Sequence, residues 1–522
     1  MARERVVVVG AGVGGLATAL RLAAAGVEVT VVEAAATPGG KLREVAVDGI
    51  RMDAGPTVLT MREVFEELFD AGGSSLAAEL TLRPAGVLAR HAWQADEHLD
   101  LHADVAESEA AIGAFSGAAE ARRFRAFSAR AAAAHAALGP AFIHAPRPSV
   151  LGLVRRIGRV RPRALAEIAP FATLWRALGR EFRDPRLRQL FARYATYCGS
   201  SPYLAPATLM VVAAVEQRGV WLVEGGMHRI AAALAGLAAR RGATLRYSTR
   251  VREIVVTARR AAGVWLENGE VIGADAVVFN GDVSALAAGL LGPAVLGAVA
   301  PIAPAARSLS ALTLNVLARV RGFPLARHSV FFSSDYAAEF ADIFERRRLP
   351  QAPTVYVCAQ DRDDAGAGRP APGRERLLWI VNAPATGDRS RFGATEVDLC
   401  VTRSMALLRR CGVDIARESA AITPTTPADF AQLFPATGGA LYGAASHGWR
   451  ASFQRPGARS RIPGLYLAGG STHPGAGVPM AAISGRLAAT SVLADFASTR
   501  ASRRGDTAGG TSTPSVTTAG TR

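Results

Sequence analysis

The sequence predicts an α/β protein whose first domain is built on a parallel sheet. Residues 6–9 form a continuous run of valines, the pattern of a strand that is buried on both faces. This run leads directly into a Gly-x-Gly-x-x-Gly motif, and an Ala/Leu-rich helical pattern follows over 16–25. Residues 27–32 then form a second β-branched strand, which ends at Glu33. Strand, glycine loop, helix, strand and acid in this order are typical of a Rossmann-like dinucleotide-binding unit.

The glycines and the acid each have a physical role in such a unit. Gly10 permits a tight turn, Gly12 lets the backbone approach a pyrophosphate, and Gly15 lets the helix pack closely on the strand. Gly14 belongs to the same predicted phosphate-binding loop. The helix N-terminus offers free N–H groups and the positive end of a dipole. Glu33 can accept hydrogen bonds from a ribose diol, which leaves NAD and FAD both open.

Composition sets further bounds. A chain of 522 residues, half of them hydrophobic, is long enough for two domains with sizeable cores. The four cysteines lack CxxC spacing, which argues against a disulfide framework or a zinc site and suits a reducing compartment. We expect no secretory signal, because the N-terminal apolar run is the dinucleotide strand and helix. The uncharged stretch 283–306 is interrupted by prolines and glycines, so we expect no spanning helix there.

A net charge of +16 suits either nucleic acid or an anionic membrane surface as a partner. No nucleic-acid-binding motif accompanies the charge, so we expect no nucleic acid and prefer the membrane surface. Segment 151–193 holds eleven arginines against three acids, with apolar residues at helical spacing. Pro162, Pro170 and Pro185 would break it into short helices. Such helices lie in membrane interfaces, although a solvated arginine face over ordinary core is an alternative.

Two motifs beyond the second strand select the cofactor. They are Pro38-Gly39-Gly40-Lys41 and Asp53-Ala54-Gly55-Pro56-Thr57. With them the chain resembles the superfamily of FAD-dependent amine oxidases and phytoene desaturases. The resemblance implies FAD, with Gly40 and Lys41 near the phosphates and with Gly55, Pro56 and Thr57 near the flavin ring. It also implies that backbone atoms of Val251 contact the cofactor. Lys41 is the only lysine of the chain, and an ordinary exposed turn lysine is the alternative interpretation.

A second glycine-rich motif lies near the end of the chain. Residues 461–470 read as a strand with a glycine end, residues 471–480 as a loop, and about 481–496 as a helix. A helix N-terminus here would stabilise negative charge on a reduced flavin. The predicted cofactor residues of this motif are Gly469, Gly470, Gly477, Val478, Pro479 and Met480.

The run Thr-His-Pro-Gly-Ala-Gly-Val-Pro within this loop resembles bacterial carotenoid desaturases of the phytoene desaturase type. Residues 53–61, 88–93 and 223–228 are similar to the subgroup that acts on 1-hydroxylated acyclic carotenoids, and the resemblance spans roughly 5–495. It implies 3,4-desaturation of a carotenoid in spheroidene and spirilloxanthin biosynthesis, with oxygen or membrane quinone as electron acceptor. It implies a cytoplasmic protein attached peripherally to the inner or intracytoplasmic membrane, and a homo-oligomer stays open.

The implied chemistry moves a hydride to the flavin and a proton away from the neighbouring carbon. The sequence shows neither a Ser/His/Asp trio nor a metal cluster. We therefore expect the main task of the enzyme to be positioning the substrate and excluding water. His473 is the first candidate for a proton acceptor, and packing on the cofactor is its alternative role. His91 could meet the 1-hydroxyl, or it could be a plain strand-end histidine. Three further candidates lie near strands of the second domain: His328, Asp335 and Tyr336.

The predicted architecture is a Rossmann-like FAD-binding domain of the glutathione-reductase type with an inserted α+β substrate domain. The FAD-binding domain takes residues 1–90, 216–284 and 456–497. The substrate domain takes 91–215 and 285–455, and 498–522 is a disordered tail.

Four other functions stay open at this point. A phytoene desaturase or a flavin-dependent carotenoid isomerase shares the motifs, although an isomerase is redox-neutral. An amine oxidase would act on a soluble amine and release peroxide. A prenyl-protein escort protein resembles the architecture without functional flavin binding, which the intact glycine motif disfavours.

Overall fold

The structure is a computed structural model that describes residues 3–146, 171–362, 373–417 and 420–508. Its strands, in chain order, are β1 Arg5–Val9, β2 Glu28–Val32, β3 Glu44–Val47, β4 Ile50–Asp53, β5 Leu82–Pro84, β6 Val87–Ala92, β7 His98–His102, β8 Trp221–Val223, β9 Thr244–Arg246, β10 Val251–Thr257, β11 Arg260–Leu266, β12 Val271–Gly273, β13 Ala276–Phe279, β14 Ser310–Ala318, β15 Val320–Gly322, β16 His328–Phe331, β17 Val355–Ala359, β18 Glu375–Ala383, β19 Val413–Ile415, β20 Ala421–Thr425 and β21 Leu465–Leu467.

The described helices connect and cover these strands. In chain order they are α1 Val13–Ala24, α2 Arg62–Ala71, α3 Leu76–Glu79, α4 Val105–Ser116, α5 Ala118–Leu138, α6 Leu174–Glu181, α7 Pro185–Ala192, α8 Val211–Gln217, α9 His228–Arg240, α10 Val283–Ala287, α11 Tyr336–Phe344, α12 Ala394–Arg410, α13 Pro427–Leu433, α14 Ala451–Gln454 and α15 Val478–Ala508. Short helical turns are formed by Gly139–Ile143, Arg193–Cys198, Ala207–Met210, Pro293–Val295 and Pro304–Ala306.

The first domain contains a five-stranded parallel sheet in the order β21-β13-β1-β2-β9. Val8 of β1 pairs with Val31 on one side and with Val278 on the other. Helices α1, α9 and α15 cover one face, and the antiparallel sheet β10-β11-β12 covers the other. Both faces are therefore buried, which explains the unbroken valine run and confirms the predicted parallel sheet.

The second domain is built on a seven-stranded mixed sheet in the order β20-β14-β18-β17-β16-β6-β7. Only the pairing of β16 with β6 is parallel in this sheet. Helix α12 packs on one face, whereas α5, α6 and α7 pack near the opposite face, which carries Val330 and Phe332. This is the α+β arrangement that the sequence predicts for the substrate domain.

Two details at the start of this domain differ from the sequence expectation. Strand β6 begins at Val87, so the predicted boundary at residue 90 falls inside a strand of the seven-stranded sheet. The alanine-rich stretch 100–138 has a helical pattern in the sequence, but residues 100–102 belong to strand β7. Leu99 and Leu101 are buried there while Asp100 between them is half-buried. This alternation with period two is short, and the long helical pattern after it concealed it.

The arginine-rich segment and the tail are described only in part. Residues 147–170 lie outside the described residues, and the rest of segment 151–193 forms α6, α7 and a helical turn. Pro185 is the first residue of α7 and Asp184 caps it, so the predicted break there is confirmed. Helix α15 continues to Ala508, so residue 498 is too early a start for the tail, and 509–522 lie outside the described residues.

Within the described ranges, the structure contains no helix with the length and apolar character needed to cross a membrane. The uncharged stretch 283–306 folds instead into the short helix α10 and two helical turns.

Candidate flavin and substrate site

The glycine loop 10–15 joins β1 to α1 with very little space between them. Gly10 has a φ of +101°, and its N–H donates to the carbonyl of Val32 at 2.8 Å. A Cβ on Gly15 would lie 2.1 Å from the carbonyl oxygen of Gly10. Gly12 is the N-cap residue of α1 and makes no side-chain cap. The first N–H groups of the helix thus meet no capping side chain, which is the property of an anion site.

The carboxylate of Glu33 is held beside this loop. One of its oxygens accepts from the N–H of Ala11 at 2.6 Å and the other from the N–H of Ala35 at 2.8 Å. The backbone carbonyl of Glu33 accepts from the N–H of Thr249 at 2.7 Å. Val251 begins β10 two residues later, so its backbone lies on the same edge of the domain as Glu33. This is the edge at which an adenosine ribose would bind.

The turn 39–41 packs directly on the glycine loop. The N–H of Gly39 donates to Ala11 at 2.9 Å, and a Cβ on Gly40 would lie 3.4 Å from the Cα of Gly12. The side chain of Lys41 leaves the turn in another direction: its amine donates to the carbonyl of Leu441 and lies 5.1 Å from the centre of the Phe434 ring.

The environment of Lys41 excludes an ordinary exposed turn lysine. Burial lowers its pKa, the Asp282 carboxylate opposes the shift, and the nearby Arg455 adds to it. The protein partner of its amine is the carbonyl of Leu441. The predicted contact of Lys41 with the phosphates of FAD stays a prediction.

The loop 55–57 lies against the same turn. A Cβ on Gly55 would stand 1.9 Å from the carbonyl oxygen of Lys41, so only glycine fits there. Pro56 leads to Thr57, whose hydroxyl is 2.6 Å from the hydroxyl of Tyr356 on β17. That tyrosine hydroxyl is in turn 2.7 Å from Nδ1 of His328 on β16. A hydrogen-bonded chain therefore runs from the loop 55–57 into the seven-stranded sheet.

Asp53 ties this loop to both domains. Its buried carboxylate accepts from the N–H groups of Met227 at 2.7 Å and His228 at 3.2 Å, at the start of α9. Its carbonyl accepts from the side-chain amides of Asn315 and Gln360, both at 2.9 Å. Burial raises the pKa of Asp53, and the two backbone N–H groups oppose that shift.

The chain around the loop 471–480, which we call the closing loop, reaches the glycine loop 10–15 from the other end of the sequence. The N–H of Gly469 donates to the hydroxyl of Ser484 at 2.8 Å. Gly477 has a φ of +116°, and its carbonyl accepts from Ala481 in the first turn of α15. The helix begins at Val478, earlier than predicted, so Pro479 and Met480 lie in its first turn. Gly470 precedes the loop, and its carbonyl accepts from Arg455.

The structure adds Asn280, which sequence reasoning did not single out. Its side-chain amide donates to the carbonyl of Gly10 at 3.1 Å. A Cβ on Gly14 would lie 2.7 Å from the side-chain oxygen of Asn280 and 2.8 Å from the nitrogen of Gly469. Asn280 thus joins the two glycine motifs. Its only signal in the sequence is an Asn-Gly pair at the end of a buried strand.

Arg455 is a second residue that sequence reasoning missed. Its half-buried guanidinium donates to the carbonyls of Tyr442 at 2.9 Å, Ala444 at 2.8 Å and Gly470 at 3.1 Å. Burial lowers its pKa, and the Asp282 carboxylate counters the shift. This arginine fixes the backbone of the closing loop and brings positive charge to it.

The two predicted proton acceptors lie in different parts of the molecule. His473 is in the closing loop with its ring against Phe142 at a centroid distance of 5.2 Å. His91 is on β6, where Nδ1 is 3.3 Å from the carbonyl of Leu99 and Nε2 is 3.4 Å from Arg193. Burial lowers the pKa of both histidines. Among the described residues, no hydrogen bond or ring contact joins the two.

The other candidates of the second domain have separate environments. His328 is in the chain from Thr57, whereas Asp335 caps α11 by accepting from Ala338 at 2.9 Å. Tyr336 stacks edge-on against Phe340 at 5.0 Å in the apolar cluster. Of the three, His328 is the one that the structure connects to the loop 55–57.

The chain matches the family model described as flavin containing amine oxidoreductase over residues 13–493. It is 57% identical to the hydroxyneurosporene desaturase of Rubrivivax gelatinosus, over 99% of this chain and 98% of that one. It is 46% identical to the protein of the same name from Cereibacter sphaeroides, over 95% and 98% of the two chains.

Among solved structures, the chain is similar to putrescine oxidase with bound putrescine, at a TM-score of 0.57 and 16% identity. The match covers 94% of this chain and 99% of that one. At this identity the likeness concerns the fold, and it confirms the predicted two-domain α/β architecture.

Proposed function

This chain belongs to the family of flavin containing amine oxidoreductases, and we propose that it is an FAD-dependent carotenoid desaturase. Its substrate is a 1-hydroxylated acyclic carotenoid, and the new double bond forms between C3 and C4. One observation carries the proposal: two glycine motifs from opposite ends of the chain meet through Asn280, and this supports a binding site for a flavin dinucleotide between them. The 57% identity to a hydroxyneurosporene desaturase supports the substrate class.

The residues present fit FAD. The uncapped N-terminus of α1 and the glycine loop 10–15 would hold the pyrophosphate, and Glu33 would hold the ribose. The backbone of Val251 would contact the adenine end of the cofactor. The loop 55–57 and the first turn of α15 would hold the flavin ring. FAD, when bound, supplies a two-electron acceptor for the desaturation.

The protein residues then have three tasks. The N-terminus of α15 and the half-buried Arg455 stabilise negative charge near the closing loop. The polyene binds beside the apolar cluster on the seven-stranded sheet, against its partly buried members such as Val58 and Tyr356, and water is excluded there. His473 accepts the proton, since burial keeps its imidazole neutral at pH 7.

The substrate and a quinone acceptor dissolve in lipid, so we also propose peripheral attachment to a membrane, with quinone or oxygen as acceptor. Phe171, which lies in the arginine-rich segment 151–193, is 79% exposed and lies 5.5 Å from the ring of Trp449. The guanidinium of Arg450 lies over the half-buried Trp449 ring at 4.8 Å. An exposed phenylalanine beside a tryptophan and an arginine suits the interface of an anionic bilayer.

Incubation of the purified protein with FAD, a quinone and either 1-hydroxyneurosporene or phytoene tests the function. We expect a product of 1-hydroxyneurosporene that is two hydrogens lighter, with absorption shifted to longer wavelength. An isomer of unchanged mass would identify an isomerase, and turnover of phytoene alone would identify a phytoene desaturase. Peroxide formed from a soluble amine would identify an amine oxidase, and failure to take up FAD would favour an escort protein.

A further inference from the structure

One hydrogen-bonded chain links the cofactor loop to the substrate domain. It consists of the hydroxyl of Thr57, the hydroxyl of Tyr356 at 2.6 Å, and Nδ1 of His328 at 2.7 Å. Its far end, Nε2 of His328, is buried and has no hydrogen-bond partner among the described residues. The residue is only 2% exposed, so bulk water does not satisfy this nitrogen. A buried polar atom without a partner is a costly feature that calls for a ligand or an ordered water.

One side of this hydrogen-bonded chain borders an apolar cluster. Val58, directly after Thr57, and Tyr356 both pack against the apolar cluster that contains Val330 and Phe332. Burial and the charges of Arg327 and Arg193 keep the imidazole of His328 neutral. The chain therefore ends in a neutral polar atom at the edge of an apolar surface, which suits an apolar ligand with one hydrogen-bonding group.

The chain can be polarised in either direction. If Thr57 donates to Tyr356 and Tyr356 donates to Nδ1, then Nε2 carries the hydrogen and donates. In the opposite direction Nδ1 carries the hydrogen, and Nε2 accepts. A hydroxyl group on the ligand satisfies both cases because it donates and accepts. His91 has no unpaired ring nitrogen of this kind, since both of its ring nitrogens already have hydrogen-bond partners.

We propose that Nε2 of His328, oriented through Tyr356 by Thr57, binds the tertiary hydroxyl at C1 of the carotenoid and makes the enzyme selective for hydroxylated substrates. This rests on the proposed function. The hydroxyl-bearing carbon is two bonds from C3, so its receptor has to lie near the flavin ring, and the chain starts on the loop predicted to flank that ring. An unhydroxylated end would leave Nε2 buried without a partner, which disfavours its binding.

Anaerobic reduction of the enzyme-bound flavin by 1-hydroxyneurosporene and by neurosporene, in single turnovers, tests this selectivity. For each carotenoid the concentration dependence gives a dissociation constant and a limiting rate. In His328→Phe we expect the preference for the hydroxylated carotenoid to fall about tenfold or more, with neurosporene reduced as fast as before or faster. His328→Gln keeps a hydrogen-bonding group and should recover part of the preference.

Two further variants keep the test decisive. Tyr356→Phe removes one hydroxyl without changing the ring packing, and it should weaken the same preference even if His328→Phe loses its flavin. Ser329→Ala is the matched control, because Ser329 is buried in the same strand, where its hydroxyl bonds to Ala326 at 3.3 Å. Its preference should stay at the wild-type value.

The outcomes separate this proposal from the proposed function. If flavin-loaded His328→Phe and Tyr356→Phe keep the wild-type preference, or slow both carotenoids equally, then an ordered water satisfies Nε2 and the proposal is wrong. If the wild-type protein reduces its flavin with neither carotenoid, the proposed function itself fails. A preference lost in both variants and kept in Ser329→Ala supports the proposal.

Discussion

Gly15 and Gly10 approach each other so closely that a methyl group added at Gly15 would clash with the backbone of Gly10. A Cβ on Gly15 would lie 2.1 Å from the carbonyl oxygen of Gly10, well inside van der Waals contact. The same Cβ would lie 2.8 Å from the side-chain amide of Asn280, which bridges the two glycine motifs. The start of α1 is therefore fixed against β1, and the N–H groups predicted to bind the phosphates are fixed with it.

We expect Gly15→Ala to lose FAD and to be destabilised by about 3 kcal/mol or more, because the carbonyl oxygen of Gly10 belongs to the backbone and cannot move freely. Flavin absorbance per protein and thermal unfolding measure both effects. Gly297→Ala is the control, since a Cβ at Gly297 meets no atom within 4 Å. A Gly15→Ala protein with full flavin content would contradict the packing described for this loop.

We expect Glu33→Gln to bind FAD roughly ten- to a hundredfold more weakly, because a charged acceptor of the Ala11 N–H and of the ribose is lost. Titration of the apoprotein with FAD gives the dissociation constant. Glu28→Gln, an exposed acid on the same strand, should bind FAD as the wild-type protein does. Equal affinities in all three proteins would show that Glu33 does not bind the ribose.

We expect Arg455→Met to lower the free energy of unfolding by about 2–4 kcal/mol, since the carbonyls of Tyr442, Ala444 and Gly470 all lose their charged donor. Denaturant unfolding of the holoprotein measures the change. Arg459→Met removes an arginine of similar size whose partner, Asp495, is exposed. It should cost about 1 kcal/mol or less, and a similar loss in both variants would argue against the role of Arg455.

The low pKa of His328 predicts that the protein loses stability in acid. Burial and nearby arginines lower its pKa from 6.5 to about 3. Between these two pH values the unfolded chain binds a proton at His328 that the folded chain does not. The contribution of His328 to the free energy of unfolding is therefore complete above pH 6.5 and decreases as the pH falls. At pH 5 the loss is about 2 kcal/mol. Urea unfolding at pH 7 and at pH 5 measures the drop in the free energy of unfolding between the two. In His328→Gln this drop should be smaller than in the wild-type protein by that amount. An unchanged loss would mean that this histidine titrates normally.

The cofactor end of the molecule could be predicted because its signals are local in the sequence. The valine run, the glycines from Gly10 to Gly15 and Glu33 follow one another within two strands and a helix, and the structure brings Glu33 and the loop into contact. The resemblance of the closing loop likewise depends on one continuous motif. Their contacts with FAD stay predictions.

The residues that complete the site could not be found in this way. Asn280 reaches Gly10 across 270 residues of chain, and Tyr356 reaches Thr57 across 299. A single asparagine or tyrosine has no local pattern that marks such a contact, and Arg455 is one of 60 basic residues. The strand β7 was missed for a different reason: its five residues are too few for their alternation to outweigh the alanine-rich helices after it.

The meeting of the two chain ends has a consequence for biosynthesis. Strand β21 and helix α15 complete the first domain, and a Cβ on Gly485 would lie 2.2 Å from the carbonyl oxygen of Gly14. The ribosome therefore makes the glycine loop 10–15 first and its packing partner hundreds of residues later, with a delay of roughly 25 to 95 s at 5–20 residues per second. During that delay the nascent polypeptide exposes the apolar surface that α1 buries against α15, a kind of surface that favours aggregation or chaperone binding, and a prematurely terminated chain has no closing helix to cover it.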